Sequence, residues 1–203
     1  MSNLQFWLSV LYYGGLFGSL LAFADLWNIQ FQTSFFKHSI EESSVMNAMI
    51  PIGVTVGGLV AGLWADKSGF IIPARVFGVL TVLFLALILY IPLPESVAGV
   101  TMLLIGFGFS GSILGLTTLQ KNLPPEAVAL ATSLVITAAC IFSGVVQTLI
   151  GNALASPHQA KVFADFLTGT IADFGTYQAG MMWIFGSAII STLASFLFKE
   201  VRN

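Results

Sequence analysis

Three polar side chains near the start of the chain are spaced so that they could form one site. Asp25, Asn28 and Gln32 are three and four residues apart, which places them on one face of a helix. The stretch around them is apolar, and an acid in such a setting is a candidate proton or cation site. Two interpretations are open: Asp25 is such a functional acid, or it lies at a membrane interface and is simply hydrated.

Other polar and aromatic side chains could line the same site or serve only in packing. Trp27, beside Asp25, could stack on a substrate or anchor its helix at a membrane interface. Uncharged polar groups in apolar helices either line a cavity or hydrogen-bond a neighbouring helix. The further candidates for a substrate or ion pathway are Trp27, Tyr13, Asn47, Ser110 and Gln147. We assign no catalytic residue.

The elements that position these residues are helices of membrane length. Only 8% of the residues are charged and 57% are apolar, whereas a soluble domain carries about a quarter charged residues. Membrane strands are excluded because residues 79–91 are apolar at nearly every position rather than alternating. The sequence therefore predicts an all-α membrane protein, with one domain over 1–203 and six spans at about 6–33, 45–65, 73–92, 97–119, 125–152 and 177–197.

Six spans bring both ends of the chain to one side of the membrane. Five of the seven Lys and Arg residues would lie on that side, which favours cytoplasmic ends. Residues 157–175 have apolar side chains at helical spacing and predict an amphipathic segment at the outer surface. Ser43 and Ser44 are the expected N-caps of the second span. The net charge of −2 favours no nucleic-acid partner.

Small residues and polar residues also predict how the spans pack. Spans three and six look almost purely hydrocarbon, so we expect them to face lipid. His38 and His158 fall in outer loops with no metal-ligand spacing around them, so they are expected to be ordinary surface residues, and no metal or cofactor is expected. Close helix contacts are expected at the glycine pairs that are four residues apart, namely Gly53 with Gly57, Gly58 with Gly62, and Gly111 with Gly115.

A short polar loop joins the second and third spans. It reads Gly-Leu-Trp-Ala-Asp-Lys-Ser-Gly from Gly62 to Gly69. Gly62 would permit a close helix crossing, and Gly69 would permit a turn that other residues resist. Asp66 could pair with Lys67 or Arg75. These five residues are a candidate conformational latch at the inner membrane surface.

This loop resembles the G-x-x-x-D-[RK]-x-G signature of the major facilitator superfamily, which joins the second and third helices of each six-helix half. Residues 23–31 resemble the first helix of the second half, residues 122–126 the loop before its fifth helix, and residues 144–151 the fifth helix itself. The likeness covers nearly the whole chain. It departs from the signature at Phe70, where the family usually has a basic residue.

The resemblance implies a secondary transporter that works by alternating access, with the first, second, fourth and fifth helices of the half lining the cavity. Its substrate would be a small polar metabolite or organic ion, driven by a proton or sodium gradient, with Asp25 as coupling acid or partner of a cationic substrate. A complete member has twelve helices. The expected partners are the lipid bilayer of a bacterial inner membrane and either an N-terminal six-helix half or a second copy of the chain.

Two other hypotheses stay open. The chain could be a stand-alone six-span homodimer or an accessory membrane subunit. It could also be an intramembrane serine protease, because the sequence from Gly108 to Gly111 resembles the G-x-S-G nucleophile motif of the rhomboid family, with Ser110 as nucleophile. That chemistry needs a base within hydrogen-bond reach. Rhomboids supply a histidine from the sixth span, and this sixth span has none.

Overall fold

The chain is a bundle of membrane-length helices. The computed structural model describes residues 3–91, 93–121, 123–155 and 176–198, and these ranges contain helices and no strand. The expected amphipathic segment 157–175 and His158 lie outside the described residues. The helices are α1 (Asn3–Ala22), a π-helical turn (Phe23–Trp27), α2 (Asn28–Phe35), α3 (Ile40–Ser68), α4 (Ile71–Tyr90), α5 (Glu95–Phe109), α6 (Ser112–Lys121), α7 (Pro125–Ala155) and α8 (Thr176–Phe196).

These helices make six stretches that are long and apolar enough to cross a membrane. The prediction of an all-α membrane protein is thereby confirmed, and the chain is a multi-pass membrane protein. Two spans consist of more than one helix: the π-helical turn joins α1 to α2, and a short turn joins α5 to α6. The six spans are numbered in chain order as span 1 (Leu4–Phe35), span 2 (Ile40–Ser68), span 3 (Ile71–Tyr90), span 4 (Glu95–Lys121), span 5 (Pro125–Ala155) and span 6 (Tyr177–Phe196).

Span 2 begins five residues before the predicted residue 45, because its N-cap is Ser39 rather than Ser43 or Ser44. The Ser39 hydroxyl accepts a hydrogen bond from the Glu42 backbone N–H at 3.2 Å, and the Glu42 carboxylate accepts one from the Ser39 N–H at 2.8 Å. This reciprocal capping box satisfies two backbone donors at the helix start. Ser43 and Ser44 lie inside the first turns and donate to backbone carbonyls there.

Spans 1–3 and spans 4–6 make the same pattern of contacts, with spans 1, 2 and 3 corresponding to spans 4, 5 and 6. Span 2 packs on span 4, and the corresponding span 5 packs on span 1. Span 3 also packs on span 4, and the corresponding span 6 packs on span 1. Spans 1 and 4 contact each other, as do spans 3 and 6. Because span 4 crosses the bundle in the direction opposite to span 1, this arrangement is an inverted repeat of three spans.

The two spans that correspond in this repeat, span 1 and span 4, are both interrupted. Span 1 contains the π-helical turn Phe23–Trp27. Span 4 breaks at Ser110 and Gly111, where the Gly111 N–H donates to the Gly108 carbonyl at 3.1 Å and the Leu114 N–H to the Gly111 carbonyl at 3.0 Å. These tight i→i+3 bonds interrupt the α-helical pattern between α5 and α6.

Glycines form the closest helix contacts at only some of the predicted positions. A methyl group on Gly53 or Gly57 would meet backbone atoms of span 4 at Leu103 and Phe107, and one on Gly18 would meet Ala139 of span 5. The pair Gly58 and Gly62 was expected to pack in the same way. That expectation is wrong within the described part of the chain, where a methyl group on either glycine would have no neighbour within 4 Å.

Span 6 is more buried than its composition suggested, although Ile190, Leu193 and Phe196 leave one apolar side uncovered. Just over half of its most apolar window, 56%, is buried, against 39% for span 3. Ser187 of span 6 hydrogen-bonds Ser19 of span 1, and the Ser191 hydroxyl donates to the Leu11 carbonyl at 3.2 Å. The span is apolar in composition, but its packed face carries these hydroxyl groups among apolar side chains such as Met182 and Ala188. Spans 2 and 5 are the least covered, at 28% and 22%, and span 1 is the most buried, at 67%.

Candidate functional site

The π-helical turn in span 1 controls which way the predicted site residues face. The Asn28 N–H donates to the Phe23 carbonyl, five residues back, instead of four as in an α-helix. The backbone loop closed by this hydrogen bond contains one residue more than a turn of α-helix. Residues three apart across it therefore no longer lie on one face. Asn28 and Gln32 share a buried face, whereas Asp25 is exposed. The expectation that all three share one face is therefore wrong for Asp25.

A ladder of two asparagine side chains joins span 1 to span 2. The Asn28 Nδ2 donates to the Asn47 Oδ1 at 2.7 Å, and the Asn47 Nδ2 donates to the Ala24 carbonyl at 3.1 Å. The second bond reaches a carbonyl within the π-helical turn. The ladder thus holds the interrupted part of span 1 against span 2, and it fixes the orientation of both amides.

Gln32 lies one turn further along the same face and is fully buried. Its Oε1 is 3.2 Å from the Nδ1 of His38, and its backbone carbonyl accepts from the N–H groups of Phe36 and His38 at 3.1 and 3.4 Å. His38 is therefore a half-buried partner of Gln32 rather than the ordinary surface histidine expected. The turn between them places Lys37 at a φ of 62°, an uncommon value for a side chain larger than glycine.

Three buried polar atoms in this region have no hydrogen-bond partner within the described part of the chain: Trp27 Nε1, Asn28 Oδ1 and Gln32 Nε2. The fourth such atom among the described residues is Thr192 Oγ1, in the contact between spans 3 and 6. Leaving a buried polar atom unsatisfied costs about 1–3 kcal/mol. A stretch of six residues in span 1 therefore carries most of this cost, which is typical of a functional site.

Beside this stretch, an open groove of about 590 Å³ runs between spans 1 and 2. Asp25 lines it together with Asn47, Pro51 and Thr55. Among the described residues, no basic side chain pairs with the Asp25 carboxylate. Asn47 is half-buried. It therefore borders both the groove that contains Asp25 and the buried face formed by Asn28 and Gln32.

Pro51 is a feature of the groove that the sequence analysis missed. It lies inside α3, and because proline has no N–H, the carbonyl of Asn47 lacks its helical hydrogen bond. Span 2 is weakened at the residue that forms the asparagine ladder. The signal was readable, since proline within a membrane helix is a known point of bending.

Trp27, also a candidate, is half-buried between span 1 and span 5. A methyl group on Gly151 of span 5 would lie 3.6 Å from the Trp27 ring. This packing leaves open whether Trp27 anchors the helix or contacts a substrate.

The remaining candidates lie elsewhere. Tyr13 is buried in a separate cluster with Leu119 and Val135 and stacks on Phe17 at 5.2 Å. Gln147 of span 5 reaches only Ser143 of its own helix, at 3.4 Å. Ser110 donates to the Phe107 carbonyl at 2.6 Å. No histidine of the described residues contacts it, so the geometry offers no support for a nucleophile there.

The candidate latch is arranged differently from the prediction. Arg75 was one of the possible partners of Asp66, but its Nε and Nη2 donate to the carbonyls of Ser195 and Phe196 at 3.4 and 3.3 Å, and its guanidinium lies 5.2 Å from the Phe196 ring. A cation at these last carbonyls of span 6 is favourable because the C-terminal end of a helix is partly negative. Asp66 and Lys67 are exposed.

Gly69 does take the conformation that the loop requires. Its φ is 80°, and its N–H donates to the Ala65 carbonyl at 2.9 Å to close span 2. A side chain would strain this backbone, which is why glycine ends the loop. Nearby, the Lys121 ammonium lies 4.0 Å above the ring of Phe70, so a cation from the end of span 4 contacts the start of span 3.

In chemical terms, the site combines an acid in a groove with buried amide groups. In the described ranges, no three or more His, Cys, Asp or Glu side chains lie together as metal ligands would. Motifs alone relate the chain to the major facilitator superfamily. A search with models of protein families found no match to the chain, and a search of curated protein sequences found none either.

Proposed function

We propose that the chain is a six-span half of a secondary transporter that moves a small polar solute by alternating access. The observation that carries the proposal is the Asp25 carboxylate, which has no basic partner among the described residues and lies in a groove beside the interrupted helix of span 1. Interrupted helices at corresponding positions of an inverted repeat are where many transporters bind their substrate and coupling ion. An acid at this depth is costly in lipid and is kept in membrane helices chiefly for function.

Asp25 is the proposed coupling acid. It is exposed to the groove, and in this proposal the groove is the route by which a proton or a small cation reaches it. Asn47 lines the same groove, and it hydrogen-bonds Asn28 and the carbonyl of Ala24, the residue before Asp25. A proton taken up at Asp25 would thus change the charge close to the contact that joins span 1 to span 2.

The proposal includes a partner that covers spans 2 and 5. These two spans correspond in the inverted repeat, and both leave long apolar faces uncovered, with Leu59 and Leu134 more than half exposed. Two uncovered spans at corresponding positions suit a second six-helix unit that rocks against them. That unit is an N-terminal half or a second copy of the chain, and a band at about twice 21.7 kDa in native membranes would identify the former.

The distribution of charge supports an orientation with cytoplasmic ends. Gln5 donates to the Leu197 carbonyl at 3.2 Å, so both ends of the described chain lie at one end of the bundle, which we call the terminal end. Lys67, Arg75 and Lys121 lie at the terminal end, and Lys37 lies at the other. An excess of basic residues marks the cytoplasmic side. We propose a bacterial inner membrane as the location.

The test is proton movement coupled to solute. Membrane vesicles that contain the chain and its partner, loaded with a pH-sensitive dye, are given a panel of sugars, amino acids, organic acids and amines. We expect one class to cause proton entry, and we expect Asp25→Asn to abolish it. Glu95→Gln, which removes an exposed carboxylate at the start of span 4, is the matched control and should transport normally. Unchanged coupling in Asp25→Asn would refute the role of Asp25.

A further inference from the structure

The unpartnered amide atoms of span 1 indicate what kind of solute the site binds. Asn28 and Gln32 are both fully buried, and each leaves one polar atom unsatisfied, an acceptor on Asn28 and a donor on Gln32. They are four residues apart on α2, so the two groups are about 6 Å apart along the helix axis. Neither side chain carries a charge.

From this we infer that the Asn28–Gln32 face is a binding subsite for an uncharged, hydroxyl-bearing solute such as a sugar or sugar alcohol. A hydroxyl both donates and accepts, so neighbouring hydroxyls of one molecule satisfy Asn28 Oδ1 and Gln32 Nε2 together. A carboxylate or phosphate would place a negative oxygen against the Asn28 carbonyl, with Asp25 nearby in the groove. An ammonium group would face the Gln32 N–H.

The subsite is closed in this structure, and span 2 supplies the means of opening it. Asn47 lies between the groove and the buried face and is held there by the bonds to Asn28 and Ala24. Pro51 removes the backbone hydrogen bond at Asn47, so the outer part of span 2 can bend at this point. Bending there breaks the asparagine ladder and gives a solute in the groove access to Asn28 and Gln32.

The inference rests on the proposed function, yet its test measures binding rather than transport. The purified 203-residue chain is heated in detergent with mannitol, glucose or inositol, and with succinate or choline as charged probes of similar size. Since polyols stabilise most proteins non-specifically, the measured quantity is the saturable rise in Tm relative to Gln32→Met at the same concentration. At ten times the Kd, we expect a rise of about 3–6 °C.

The variants separate binding from structure. Gln32→Met removes the unsatisfied Nε2 together with the Oε1 contact to His38, and it should lose the response to hydroxylated probes. Thr192→Val removes the unsatisfied buried hydroxyl of span 6 and should keep that response. A saturable response to succinate or choline alone, or no response to any hydroxylated probe, overturns the inference. Proton-coupled transport of a charged solute would also overturn the inference, but it would leave the proposed function intact. If no solute of the panel causes proton-coupled transport, the proposed function itself is contradicted.

Discussion

Two adjacent glycines in span 2 allow the packing of the bundle to be tested with a single methyl group each. A methyl on Gly57 would lie 2.6 Å from the Phe107 carbonyl oxygen and 2.9 Å from the Phe107 Cα, whereas one on Gly58 would have no neighbour within 4 Å. Ordinary contacts begin at 3.4 Å, so Gly57→Ala must push spans 2 and 4 apart by several tenths of an ångström. The nearest atom is the Ser110 hydroxyl oxygen, which can rotate with its side chain, but the two Phe107 atoms belong to the backbone and cannot move aside in this way.

The free energies follow from this geometry. Overpacking costs about 1–3 kcal/mol, and replacing a helical glycine by alanine gains about 0.8–1 kcal/mol at either position. The gain cancels in the comparison, so Gly57→Ala should be about 1–3 kcal/mol less stable than Gly58→Ala, a difference in Tm of about 2–12 °C. Thermal unfolding of both purified variants, followed by circular dichroism, measures it. Equal stability of the two would refute the close contact between spans 2 and 4.

Two further predictions concern the terminal end of the bundle. Arg75→Leu removes the cation from the last carbonyls of span 6 and should lower stability by about 1–2 kcal/mol, whereas Lys67→Leu, at an exposed site nearby, should leave it unchanged; chemical unfolding of both variants decides between them. Asp66→Asn should weaken transport without reducing membrane insertion, because its proposed role is to hold one conformation against a partner. Normal uptake by that variant in the complete transporter would contradict the latch.

The number and type of spans could be predicted from sequence because hydropathy over about 20 residues reports burial in lipid directly. The packing of the spans could not. Gly57 and Gly58 are neighbouring glycines. Only the rotation of span 2 about its own axis decides which of the two contacts span 4. Span 6 was misjudged for a related reason, since Ser187 and Ser191 are few among apolar residues but lie on the packed face.

The candidate site was predicted in its members more than in its geometry. Asn28, Asn47 and Asp25 were all identified as polar groups in apolar spans; the structure places Asp25 and Asn47 along one groove, and Asn28 is hydrogen-bonded to Asn47. The orientation of Asp25 could not be foreseen, because the turn Phe23–Trp27 contains no proline or glycine to mark a change in helix type. The partner of Arg75 was equally hidden, because it is a backbone carbonyl 120 residues away.

The asparagine ladder also bears on how the protein assembles while it is being made. Gly18 of span 1 packs against Ala139 of span 5, and Ser19 hydrogen-bonds Ser187 of span 6. These partners of span 1 are therefore synthesised long after span 1 itself. Asn47 comes only 19 residues after Asn28 and is available as soon as span 2 enters the bilayer. We therefore expect the hairpin of spans 1 and 2 to be joined first, at the end that carries the asparagine ladder, with the remaining spans packing around it afterwards.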